Sequence, residues 1–257
     1  MNLLRRCSHL ILITLVMLST VGCITTRTGP LPEPGSSSER LQAQLDLARG
    51  YLSSGEFSRA REPLNRALEL DRTSIDALLL MAVLHNNEGE PGLAEKSYLR
   101  ALRIEPKNAQ ALTNYGSFLL NYGRYEDALK PLRKAVEDPE YYLRSQSYEY
   151  LGLAEKAAGN NAAAKAAFQR AVGLNREQAR SALELAEYEL LEGKVPEAQE
   201  LYDQFRRYAK QNARSLCFGI QLAQAGANED SLASYRLALK NLFPNSREAH
   251  RCEATES

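Results

Sequence analysis

Few residues in this chain are equipped for chemistry. Four cysteines, three histidines and the carboxylates are the candidates. His9 falls in an N-terminal leader, and His85 and His250 are far apart in sequence. A protein metal site needs three or four clustered donors, so none is predicted. No glycine loop that cradles phosphate and no nucleophile motif occurs. The aspartates and glutamates are spread as solvated helix faces carry them, not as an acid–base pair. The sequence therefore predicts no catalytic residue, no metal, no cofactor and no small-molecule substrate. What remains is cysteine chemistry. Cys23 ends the run Ser19-Thr20-Val21-Gly22-Cys23, a layout at which bacteria acylate a cysteine and cut before it. Cys7 lies upstream of that cut. Cys217 and Cys252 are left, either as a disulfide in an oxidising compartment or as two separate small apolar residues.

The segment around Cys23 sets the location. Arg5 and Arg6 precede an apolar run, Leu10 to Leu18, that is too short to span a bilayer. With the small residues before Cys23 it reads as a secretory signal peptide over residues 1–22. Acyl chains on Cys23 would anchor the mature chain, each buried methylene adding about 0.8 kcal/mol. Ile24 stands where an aspartate would resemble an inner-membrane retention signal, so the expected place is the outer membrane, facing the periplasm. Residues 24–38 are rich in Pro, Gly and Ser and cannot build a core. Residues 23–39 are read as a lipidated, flexible tether. Basic and acidic side chains balance at 32 each, without the excess that nucleic-acid binding needs.

From residue 41 the chain repeats. Ala60, Ala94, Ala128, Ala164, Ala198 and Ser231 mark one small site, at spacings of 34, 34, 36, 34 and 33. Four residues on stands a large one: Leu64, Tyr98, Leu132, Phe168, Tyr202 and Tyr235. Three further come Ala67, Ala101, Ala135, Ala171, Phe205 and Ala238. Five residues before each small site is a glycine: Gly55, Gly89, Gly123, Gly159, Gly193 and Gly226. A large–small step recurs upstream, as in Met81-Ala82, Leu151-Gly152 and Phe218-Gly219. Each glycine suits the left-handed residue that ends a first helix. The small sites let a second helix approach closely, and the large residue fills the gap. Hairpins with one apolar face bury it by stacking. The pattern resembles the tetratricopeptide repeat, most fully in the second copy, from Leu78 through Ala94 and Tyr98 to Pro106.

The predicted fold is all-α, a right-handed superhelix of six tetratricopeptide-type helix pairs. The pairs fall at about 41–74, 75–108, 109–142, 145–178, 179–211 and 212–245, within a domain of 40–257 that ends in a short cap. Extra residues at Glu137-Asp138-Pro139-Glu140-Tyr141-Tyr142 predict a break between two halves of three repeats.

In such a superhelix the first helix of each pair lines the concave wall. Its second, fifth, ninth and twelfth positions are expected to face a partner. They are Gln42, Leu45, Arg49 and Leu52, then Asp76, Leu79, Val83 and Asn86. The third copy gives Gln110, Thr113, Ser117 and Leu120, and the sixth Ala213, Leu216, Ile220 and Ala223. Leu45, Leu52, Leu79 and Val83 are expected to form an apolar strip, with Arg49, Asp76 and Asn86 fixing a partner's register. On that reading Leu79→Glu weakens partner binding and spares the helices.

Two stretches are more specific. Asn114-Tyr115-Gly116, Phe118-Leu119 and Gly123-Arg124-Tyr125 resemble the third repeat of the type IV pilus biogenesis lipoproteins PilF and PilW. Gln211-Asn212-Ala213-Arg214-Ser215-Leu216, then Gly219-Ile220, Ala233-Ser234-Tyr235 and Phe243-Pro244-Asn245-Ser246, resemble their sixth repeat. The resemblance covers the whole mature chain. It implies a pilotin, which helps the outer-membrane secretin of the pilus system reach the membrane and multimerise. The competing reading is a periplasmic adaptor that scaffolds envelope or peptidoglycan enzymes.

Overall fold

The computed structural model describes residues 35–253. Residues 1–34, on which the expected signal peptide, Cys23 and most of the expected tether fall, and residues 254–257 lie outside the described residues. The first helix begins earlier than the sequence suggests, at Ser37, inside the stretch read as tether. The cause is a reciprocal cap: Ser36 Oγ accepts from the Glu39 N–H at 3.2 Å, and Glu39 Oε2 accepts from the Ser36 N–H at 2.7 Å.

Thirteen helices follow one another among the described residues. They are α1 (Ser37–Ser53), α2 (Phe57–Leu70), α3 (Ile75–Asn87), α4 (Pro91–Ile104), α5 (Ala109–Asn121), α6 (Tyr125–Ala135) and α7 (Arg144–Ala157). Then come α8 (Asn161–Leu174), α9 (Ala179–Leu191), α10 (Val195–Tyr208), α11 (Ala213–Ala225), α12 (Glu229–Leu242) and α13 (Arg247–Glu253). Odd-numbered helices up to α11 are the first of each pair and even-numbered ones the second, giving a right-handed superhelix of six pairs with no strand among the described residues.

One turn joins every pair. The N–H of the residue that opens the second helix donates to a carbonyl five residues back, at 2.8–2.9 Å, from Glu56 to Tyr51 through Asn228 to Ala223. This bond encloses a left-handed residue. Gly55, Gly89, Gly123, Gly159 and Gly193 take it, with φ of 70–82°. The sixth turn departs from the expectation for Gly226. There Gly226 has φ −89° and Ala227 is the left-handed residue, at φ 50°.

That displacement corrects the frame of the sixth repeat. Relative to its turn, the small site of the second helix is Leu232, 34 residues after Ala198, and not Ser231. Leu232 and Leu239 are buried in the core, while Ser231 and Ala238 are half-buried. The first helix shifts likewise. In the third and fourth repeats the small residue lies against the pair's own second helix: a Cβ on Gly152 would sit 2.6 Å from Phe168 Cε1. A Cβ on Gly219 would sit nearest the Tyr202 hydroxyl of the preceding repeat, at 2.6 Å, with Tyr235 of its own second helix at 3.1 Å. Gly219 occupies the place held by Leu185 one repeat earlier, which packs on Phe168.

The longer connection at 137–142 does not divide the core. The largest apolar cluster runs across it, from Leu78 and Leu119 to Leu151 and Ala167. The expected break between halves is absent at this level.

Two substitutions test the turn and the close approach. Ala227→Gly should raise the unfolding free energy by about 1 kcal/mol, because alanine is strained in the left-handed region. Gly152→Ala should lower it by about 1–3 kcal/mol through overpacking. Urea unfolding reads both, and an Ala227→Gly protein no more stable than its parent would refute the assigned turn.

Candidate partner-binding groove

The stacking of first helix on first helix decides which side chains reach the groove. Position five turns toward the next first helix, not toward solvent. Leu45 packs with Ala67 and Ala77, and Leu79 joins the main cluster. Each is 3% exposed. In later copies polar pairs fill the same contact. The hydroxyls of Thr113 and Ser147 are 2.7 Å apart, and Ser181 donates to Glu149 Oε2 at 2.9 Å. Leu45 and Leu79 therefore leave the predicted strip, and Leu79→Glu would put a charge into the core.

The remaining predicted residues keep partial access. Leu52, Val83, Ser117 and Leu120 are half-buried. Arg49, Asp76 and Asn86 are engaged within the chain. Arg49 donates to Asp76 Oδ2 and to Asp46 Oδ1, both at 2.9 Å. Tyr122 donates to Asn86 Oδ1 at 2.9 Å. In the sixth repeat Leu216, Ile220 and Ala223 are buried. With the frame corrected by one residue, Arg214 and Gln221 take the groove positions. Cys217 and Cys252, left open by the sequence, are joined by a disulfide with Cα atoms 5.9 Å apart.

Sequence reasoning missed the most developed polar cluster. Lys156 Nζ lies 2.7 Å from Glu184 Oε2 and 3.0 Å from Glu187 Oε2. Arg214 lies 2.6 Å from Glu184 Oε1 and 2.7 Å from Glu187 Oε1. The four tie the first helices of repeats four, five and six beside a cavity of about 570 Å³. Burial pushes the Glu184 carboxyl up, but Arg214 and then Lys156 outweigh it, so its pKa lies below the usual carboxylate value. Applying the groove positions to copies four and five would have picked out Lys156 and Glu187.

His85, Glu88 and Glu90 bring three donor atoms within 4.8 Å of one another. Their setting explains them without an ion. His85 Nδ1 meets Glu90 at 3.1 Å, and Arg61 holds Glu88. The same two positions pair Asn160 with Glu155 at 2.9 Å and Lys194 with Glu189 at 3.4 Å. The contact is a recurring tie across the hairpin turn.

Helix pairs of this geometry around a groove define a tetratricopeptide-repeat protein. Tetratricopeptide-repeat models match residues 41–84, 75–108, 97–130 and 151–214. The type IV pilus assembly protein PilF of Pseudomonas aeruginosa is 39% identical over 244 residues, covering 95% of this chain and 97% of that protein. The chain belongs to the PilF family. A solved structure of Pseudomonas aeruginosa PilF aligns with a TM-score of 0.82 at 40% identity, over 85% of this chain and 99% of that one. PilW, described as a widely conserved type IV pilus biogenesis factor, aligns at 0.69 and 24% identity, over 82% of this chain and 97% of that one. That second likeness is one of fold.

The Glu184 cluster has a pH signature. Glu184→Gln should cost about 1–2 kcal/mol at pH 7, since both cations keep partial contact with water. A carboxyl whose pKa is lowered on folding contributes stability above its unfolded value, near 4.5, and loses it as pH falls toward the folded value. The stability gap between parent and variant should narrow below pH 4.5 in urea titrations. A gap that stays constant with pH would remove the charge from the explanation.

Proposed function

We propose that this chain is an outer-membrane lipoprotein, acylated at Cys23 and facing the periplasm. Its repeat groove binds the secretin of the type IV pilus system and promotes its localisation and multimerisation. The observation that carries this reading is the 39% identity to a type IV pilus assembly protein over nearly the full length of both chains. The groove supports it: Leu52, Val83 and Leu120 leave apolar surface along the first helices, suited to a partner's helix or extended segment. Binding of this kind needs no cofactor and makes no covalent bond, so the role is not catalytic. The tether expected after Cys23 would hold the repeats away from the membrane.

Deleting the gene in its host should remove secretin multimers from outer-membrane fractions, and the wild-type gene should restore them. Cys23→Ala should leave a folded protein that no longer fractionates with the outer membrane. A protein carrying Val83→Asp and Leu120→Asp should keep its helical content by circular dichroism and bind secretin about tenfold more weakly. Normal secretin assembly and surface pili in the deletion strain would end the pilotin reading.

A further inference from the structure

The first helices do not stop at the sixth repeat. α9 begins at Ala179, α11 at Ala213 and α13 at Arg247, a step of 34 each time. α13 stands where the first helix of a seventh repeat would stand. Its third residue, Ala249, is buried in one cluster with Cys217, the fifth residue of α11. Position three against position five is the contact that Ser147 makes with Thr113, and Ser181 with Glu149. Yet the described part of α13 is seven residues, below the length at which a helix holds itself in water. The Cys217–Cys252 disulfide supplies a covalent hold.

α13 carries Glu248 and Arg251 into the wall of the cavity beside Lys156, Glu187, Arg214 and Gln221. Glu184 and Glu187 are each paired with both Lys156 and Arg214. Glu248 and Arg251 enter no ion pair among the described residues, and the Arg251 guanidinium contacts Cys217 Sγ at 3.6 Å. The two charges line the cavity wall one helical turn apart.

We propose that the partner groove is seven helices long, that α13 is its last wall, and that the Cys217–Cys252 bond holds this wall in place. The segment it takes presents an acidic side chain to Arg251 and a basic one to Glu248. This inference rests on the protein-binding groove proposed above and adds its redox control. A dithiol reductant passes two electrons to the disulfide and becomes a disulfide itself. The two sulfurs take up two protons and become thiols, and α13 loses its hold.

Hydrogen exchange on the purified full chain, oxidised and after dithiothreitol, tests the hold directly. Amides of residues 247–252 should exchange about tenfold faster or more after reduction, while α1–α10 stay protected. Affinity for the periplasmic region of the pilus secretin tests the wall. Arg251→Glu, and separately the double variant Cys217→Ala with Cys252→Ala, should each bind about fivefold more weakly, with α1–α10 still protected. Unchanged exchange on reduction, or variants that bind as the parent does, would overturn the proposal. If the oxidised parent itself ignores the secretin region, the pilus reading fails, and the exchange result alone decides the hold on α13.

Discussion

Every hairpin of this protein depends on a side chain that is not there. The second helix can seat its large residue only where the first helix offers almost nothing beyond its backbone. Ala48, Ala82, Gly116, Gly152 and Ala186 provide that space: the three alanines are fully buried, and a Cβ on either glycine would fall 2.4–2.6 Å from the side chain opposite. Helices of 11–14 residues, such as α2 to α12, are marginal alone. Close approach converts their apolar stripes into shared core, and stacking extends it from one repeat to the next. The sixth repeat meets the requirement differently. Gly219 leaves room where a leucine stands one repeat earlier, and the Tyr202 ring fills it, with its hydroxyl donating to the Ser215 carbonyl at 2.7 Å.

This steric rule is why the fold was legible. Glycine at a left-handed turn and alanine at a helix crossing leave traces in sequence that need no partner to interpret. The same rule explains why the last repeat departs from its expected frame. Gly226 and the Phe218-Gly219 step imitate the expected landmarks one residue too early, while the true turn uses Ala227, which carries no such mark. Position five is ambiguous in sequence for another reason. An apolar residue on a first helix can face a groove or the neighbouring first helix, and Leu45 and Leu79 are resolved only by the crossing of the helices. The extra residues at 137–142 signalled a real change of period but not its consequence, since apolar contacts bridge the longer connection.

The charges were the least legible part. Glu155, Glu184 and Glu189 are nearly buried, and each is held by a cation from a neighbouring repeat: Arg133; Arg214 and Lys156; Lys165. In sequence the partners lie 22 to 30 residues apart, beyond any local pattern. Their effect is to make neighbours specific. Apolar stripes alone would let one hairpin slide against another, whereas a buried carboxylate left without its cation is strongly disfavoured.

The contacts between successive first helices change character along the stack. Leu45 and Leu79 make them apolar at the start, and Thr113–Ser147 and Glu149–Ser181 make them polar in the middle. Separating an apolar contact exposes surface that water resists, whereas separating hydroxyls and a carboxylate offers water the groups it solvates best. The coil is thus a spring of uneven stiffness. A partner seated along the groove therefore lies over apolar contacts at its start and over hydrogen-bonded ones in its middle.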